Sequence, residues 1–238
     1  MKTWIKAYKA STWKTYRAVM FIVYPLVLLT YRFICIAAMI LNSGDSEVSP
    51  YLTFALLEGF GFLIIFLFET ISDIYIFPGI YAKDTGFAAI PRTSLRGKEV
   101  MVGALKGNRT RSILVTAIYF ASALIGPALA SEDDLWKYIF LALGILVVTF
   151  ASVQAAVFWL RHVTNMSMTG FPLMVVYLAA MLAIAGLTYL IATRLETDGW
   201  MISLAVAAIL ILFQAFARAN IRKAESRYDA GFSAEEEK

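Results

Sequence analysis

Charged residues make up only 16% of this 238-residue chain, and histidine and cysteine occur once each. Soluble domains carry about 25% charged residues, so an ordinary water-soluble globule is excluded at the outset. A single cysteine, Cys35, cannot close a disulfide within the chain or build a cysteine-based metal site. One histidine, His162, cannot assemble a multi-histidine metal centre. The His-Glu-x-x-His, P-loop and Gly-x-Ser-x-Gly patterns are missing as well. The expectation is therefore a chain that is not an enzyme, with no catalytic residue, no metal site and no cofactor of its own.

Apolar residues are what the sequence has in abundance: they make up 60%, with a mean hydropathy of +0.71. Runs of about twenty apolar residues are long enough to cross a hydrocarbon layer of about 30 Å as helices, and no alternating strand pattern accompanies them. The fold class expected is all-α, a polytopic membrane protein with six transmembrane helices. Breaks at charged or Gly/Pro-rich segments place the spans at Ala18 to Leu41, Tyr51 to Phe77, Ile113 to Ala130, Leu135 to Trp159, Pro172 to Ala192 and Trp200 to Ala217. The whole chain, 1–238, then reads as one transmembrane domain: an N-terminal segment 1–17, a six-span bundle 18–217 and a tail 218–238.

The positive charges are distributed unevenly across that bundle. Of the 21 Lys and Arg, 18 fall on the side shared by both termini and the 78–112 segment, only Lys137 and Arg194 on the other side, and Arg32 inside span one. Because cytoplasmic loops retain Lys and Arg, both termini are expected in the cytoplasm. The pI near 9 thus reports orientation, and no nucleic-acid partner is expected.

The segment Met1 to Arg17 has the pattern of an amphipathic helix lying on the membrane. At 100° per residue Trp4, Ile5, Tyr8, Thr12 and Tyr16 share an arc of about 120°, with Lys2, Lys6, Lys9 and Arg17 on the neighbouring arc. A basic flank with aromatic anchors explains the same residues, and both readings imply contact with lipid. The basic part is long and no small-x-small cleavage site precedes a polar start, so a cleaved signal peptide is not expected.

The segment between spans two and three holds Pro91, Ser94 as a potential N-cap, and then apolar Leu95, Val100, Met101, Val102 and Leu105 among Arg96, Lys98, Glu99 and Lys106. This predicts a short basic amphipathic helix after Pro91, suited to a groove on a peripheral protein or to an anionic lipid surface. Six spans, cytoplasmic termini, an N-terminal interfacial helix and this Pro, Ser/Thr, basic, apolar-apolar-x-Gly loop resemble the permease subunits of ABC-2-type transporters. In that family the N-terminal helix is the elbow helix and the loop helix is the coupling helix that sits on the ATPase. The matching positions are Pro91, Ser94, Arg96, Lys98, Glu99, Val100, Val102 and Gly103. Two departures stand out: Ala104 occupies the place where the family usually has Lys directly after the Gly, and the spacing from Pro91 is longer than usual. The resemblance implies a cytoplasmic ATP-binding subunit that carries ATP and Mg, a second permease copy as homodimer or heterodimer, and residence in the bacterial cytoplasmic membrane. By size the chain is similar to compact members that export bacteriocins or other amphipathic peptides.

Inside the membrane, Glu58, Glu69 and Asp73 of span two fall within about 60° of one helical face. Intramembrane acids avoid lipid and face a bundle interior, a water-filled cavity or an opposite charge. Arg32 is close in depth to Glu58, which predicts an ion pair between them. The acids then either line a translocation cavity suited to cationic peptides, or make one structural ion pair and two near-interface contacts. Elsewhere Pro25 predicts a kink in span one, and Ser131 with Asp134 resembles a capping box that opens span four.

The function expected is the permease subunit of an ATP-driven exporter that moves amphipathic or cationic peptides or other amphiphiles outward. The competing expectation is a substrate-binding membrane component of a vitamin-type transporter, or a regulatory membrane protein without a transport role.

Overall fold

A computed structural model describes residues 3–10, 12, 14–42, 49–76, 96–130, 134–159 and 170–236. Among these, every regular element is helical: α1 (Thr3–Ala10), α2 (Lys14–Ala18), a π-helical turn (Val19–Val23), α3 (Tyr24–Asn42), α4 (Pro50–Ile76), α5 (Gly97–Ser122), α6 (Ile125–Leu129), α7 (Leu135–Phe158) and α8 (Gly170–Glu236). Six stretches are long and apolar enough to cross a membrane: Lys14–Asn42, Pro50–Ser72, Gly97–Leu129, Leu135–Phe158, Met174–Arg194 and Met201–Lys223. The chain is a multi-pass helical membrane protein.

Span one contains the irregularity that Pro25 demands. Proline lacks an N–H and its ring crowds the carbonyl four residues back, here that of Phe21. The helix responds by widening into the π turn Val19–Val23, where the Tyr24 N–H reaches back five residues to the Val19 carbonyl.

The core forms where the spans meet around α7. In span four 56% of the most apolar window is buried, against 22% in span six, which makes α7 the central helix. Tyr138 of α7 is fully buried between Tyr51 and Phe54 of α4, at centroid distances of 4.8 and 5.2 Å. Deeper in, Phe62 of α4 stacks on Tyr177 of α8 at 5.7 Å. Phe33, Ile118, Leu182 and Ile211 remain exposed at the outer surface, a distribution that costs nothing once lipid is the solvent.

Three expected boundaries differ in the structure. Span three does not begin at Ile113 after a separate short helix: α5 is continuous from Gly97. Lys98, Lys106, Arg109 and Arg111 depress the hydropathy of its first half, while residues such as Met101, Ala104 and Leu105 favour helix and bury one side of it. Pro91 and Ser94, the expected opening of the loop helix, lie outside the described residues.

The segment Thr193 to Gly199, expected as a loop, keeps helical backbone within α8. Even so, α8 reverses direction. Gly144 lies against Leu187, and the Asn220 amide donates to Gln154. Along α7 those two anchors are about 15 Å apart, whereas a straight helix would separate Leu187 and Asn220 by about 50 Å. Spans five and six therefore fold back onto α7 without a conventional loop between them.

Finally, Asp134 is the N-cap of α7 but forms no side-chain capping bond; it adopts left-handed backbone at φ 61°. Its carboxylate instead accepts from Lys137 Nζ at 2.8 Å and Trp136 Nε1 at 3.3 Å, and the Lys137 bond holds the acid below the usual carboxylate range. Ser131, its expected partner, lies outside the described residues.

Candidate functional site

Two buried ion pairs tie the first three spans together at different depths. In the half nearer the connection between spans one and two, Arg32 of α3 faces Glu58 of α4 in a bidentate pair, with Nη1 donating to Oε1 and Nη2 to Oε2 at 3.0 Å. Nη2 also donates to the Tyr119 carbonyl of α5 at 2.9 Å, and the guanidinium carbon lies 4.1 Å from the Tyr119 ring centroid. The side chains of Arg32 and Glu58 are only 5% and 1% exposed. Cys35, Met39, Phe54 and Ala123 close around them, and Gly61 lies so near Tyr119 that a Cβ there would collide with its ring.

The second pair sits nearer the opposite end of span two. Arg111 of α5 donates to both oxygens of Glu69, at 3.0 and 2.7 Å. The same guanidinium donates to Ser72 Oγ at 3.1 Å and to Asn108 Oδ1 at 3.0 Å. The Tyr16 hydroxyl, carried on α2, hydrogen-bonds Ser72 and joins span one to the network. Arg111 and Glu69 are as deeply buried as Arg32 and Glu58, at 5% and 1%.

Charges of this kind are tolerated at membrane depth only when paired and hydrogen-bonded, and the two arginines use the planar fork that matches a carboxylate. Glu58 and Glu69 share a helical face but each engages a different span. The side chain of Asp73, the third acid of that face, is outside the described residues. Among the described residues there is no group of His, Cys, Asp or Glu able to hold a metal ion.

Arg111 was invisible to a search for charges within apolar runs, because it immediately precedes the run that starts at Ile113. Matching depths, the argument that pairs Arg32 with Glu58, would have found it. Glu69 lies toward the end of span two, and Arg111 lies at the adjoining start of span three.

The remaining candidate residues occupy the ends of the bundle. Along α5 the side facing the molecule carries Gly97, Met101, Ala104, Asn108 and Arg111, all buried. Arg96 and Glu99 are exposed, and Lys98, Val100, Val102 and Gly103 are half-buried. Helix α1 packs against α5. Ile5 is half-buried and Ala7 buried, while the side chains of Trp4 and Tyr8 lie outside the described residues.

Comparison with protein families, curated proteins and solved structures finds no match for this chain. The class rests on the fold alone: a six-span helical membrane protein locked by two interspan Arg–Glu pairs.

Proposed function

We propose that this chain is the permease subunit of an ATP-driven ABC exporter in the bacterial cytoplasmic membrane, with both termini cytoplasmic, and that it moves amphipathic or cationic peptides or other amphiphiles outward. The observation that carries the reading is the continuity of α5. The residues that resemble a coupling helix are the first turns of the helix that enters the membrane as span three. At about 1.5 Å per residue, Arg96 and Arg111 are about 22 Å apart along one rod. A push on the exposed Arg96 and Glu99 face would reach the Arg111–Glu69 pair without crossing a flexible joint.

An ATP-binding subunit would dock on that face, and α1, packed on α5, would brace it from the membrane side. The cargo would pass between two permease copies. Within one chain both paired glutamates are already engaged by arginine, and aromatic side chains fill the space between spans two, four and five.

The test is a pull-down of tagged protein from its native host in mild detergent, with mass spectrometry of the bound proteins and an ATPase assay on the eluate. A P-loop ATPase should be retained in about equal amount and be lost on the double reversal Arg96→Glu with Lys98→Glu. Recovery of the chain alone and without ATPase activity would remove the docking reading and return the question to a vitamin-type binding component or a regulatory protein.

A further inference from the structure

Between α5, α7 and the last part of α8 lies a cleft with the Glu69 side chain in its lining. Ser112, Gln154 and Asn220 add polar groups, while Val153 and Ala217 belong to an apolar wall. Arg109 and Ile221 also line it and are half-buried, whereas Glu69, Ser112, Val153 and Ala217 are buried, so the cleft meets the surface at Arg109 and Ile221. Those two residues come from the first half of α5 and the final part of α8, which places the mouth toward the charge-rich end of the bundle.

Two observations point to a ligand there. Asn220 is 3% exposed, and its Nδ2 donates to the backbone carbonyl and Oε1 of Gln154, while its Oδ1 finds no hydrogen-bond partner. A buried acceptor left in that state is costly until a donor reaches it. The cleft also encloses about 30 Å³, room for roughly two water molecules at about 10–15 Å³ each. Beside Arg32 and Glu58, the space lined by Cys35, Met39 and Phe54 has no such volume. The two ion pairs are equally buried, yet of their two acids only Glu69 borders room for water among the described residues.

Size and charge narrow the occupant. The volume is too small for a lipid headgroup or a peptide side chain. Glu69 is already matched by Arg111, and Arg109 adds a positive charge, which disfavours a cation; the Glu69 carboxylate disfavours an anion. A small neutral group that both donates and accepts remains, and water is that group. We propose that this cleft is a water inlet, in which bound water bridges Asn220 Oδ1, Ser112 and Glu69 and joins the Arg111–Glu69 pair to solvent, while the Arg32–Glu58 pair stays dry. Water beside an ion pair weakens its attraction and offers each partner another hydrogen bond. Arg111–Glu69 is therefore the pair that can part and re-form, and Arg32–Glu58 the fixed one. The inference stands apart from the transport reading, since it needs neither ATPase nor cargo.

Hydroxyl radicals made from water by a brief X-ray pulse oxidise the side chains that water touches, and mass spectrometry of the full chain in mild detergent reads the rates. After correction for intrinsic reactivity, Leu105, Val153 and Val157 of the cleft should be oxidised about tenfold faster than Leu28, Val148 and Leu187, which are comparably buried but do not line it. Ala217→Leu, whose larger side chain takes up the space, should bring Val153 and Val157 down to the rate of those controls. Ala217→Ser, which leaves the space open, should not. Thermal melts establish that each variant is folded, and if Ala217→Leu is not, the comparison within the unaltered chain still decides. Cleft residues oxidised no faster than the controls, or undiminished rates in folded Ala217→Leu, would overturn the proposal. Oxidation of Phe54, beside Arg32 and Glu58, at the corrected rate of the cleft residues would overturn it as well, because both pairs would then be wet.

Discussion

Arg32 and Glu58 illustrate how a membrane interior turns one residue's chemistry into a requirement on another. Removing one partner of a buried pair leaves an uncompensated charge and costs about 3–5 kcal/mol, whereas replacing both with apolar groups of similar size is often neutral. Arg32→Ala should therefore lower the thermal stability of the detergent-solubilised protein sharply, and Arg32→Met with Glu58→Leu should restore most of it. Equal loss in the single and double variants would mean that shape, not charge, holds the site. Tyr119 links this pair to glycine geometry. A Cβ at Gly61 would lie within 3 Å of the Tyr119 ring, but at Gly186 it meets nothing within 4 Å. Gly61→Ala should accordingly destabilise, while Gly186→Ala should be neutral or stabilising by up to about 1 kcal/mol from helix propensity. Paired melting curves check both. At this scale the sequence contained the Arg32–Glu58 pairing, because both residues interrupt apolar runs at matching depth. It concealed Arg111–Glu69, because one partner stands just outside such a run.

Helices are where hydropathy and helicity part company. Hydropathy reports which residues prefer lipid, so it places the start of span three at Ile113; backbone hydrogen bonding continues to Gly97 regardless of the charges on the surface. The same distinction explains α8, where the polar Thr193 to Gly199 segment separates two apolar stretches without ending the helix. Proline is the exception, being a covalent constraint: Pro25 fixed the position of the irregular turn from sequence alone. The continuity of α5 can be tested at Gly103, in the middle of its first half. Gly103→Pro removes a helical donor and introduces a clash worth about 3 kcal/mol or more, whereas Gly103→Ala favours the helix. If α5 transmits ATPase motion as a rod, the proline variant should keep the ATPase bound through Arg96 and Lys98 yet lose cargo-stimulated hydrolysis, and the alanine variant should keep both. Retention of full stimulation by a folded Gly103→Pro protein would show that continuity is not what couples the two.

Orientation belongs to the whole molecule, because no single element determines it. Lys and Arg near span ends resist translocation, and the 18 charges set against 2 are spread over four separate segments. Neutralising any one of them would still leave at least 11 against 2, so the orientation expected from the charges does not hang on a single segment. Six spans further require that successive connections alternate between the two faces. Single cysteines make both requirements measurable. Cys35 is buried, and Cys35→Ala gives a background without thiols. Into it are placed, one at a time, Ser46→Cys and Ser131→Cys on the charge-poor side, and Ser94→Cys and Ser226→Cys on the charge-rich side. A membrane-impermeant maleimide should label the first two in intact cells and the second two only after permeabilisation. The inverse pattern would place Arg96 outside the cell, where no ATP-binding subunit could reach it, and would end the exporter reading while leaving the bundle and its ion pairs untouched. Ser46 and Ser131 labelling from opposite sides would be more damaging, since spans two and three together must return the chain to the face it left. In that case one of the two would not cross the membrane, and Ser94 labelled from the same side as Ser131 would identify it as α5, whose long polar first half would then mark a surface element instead of a lever.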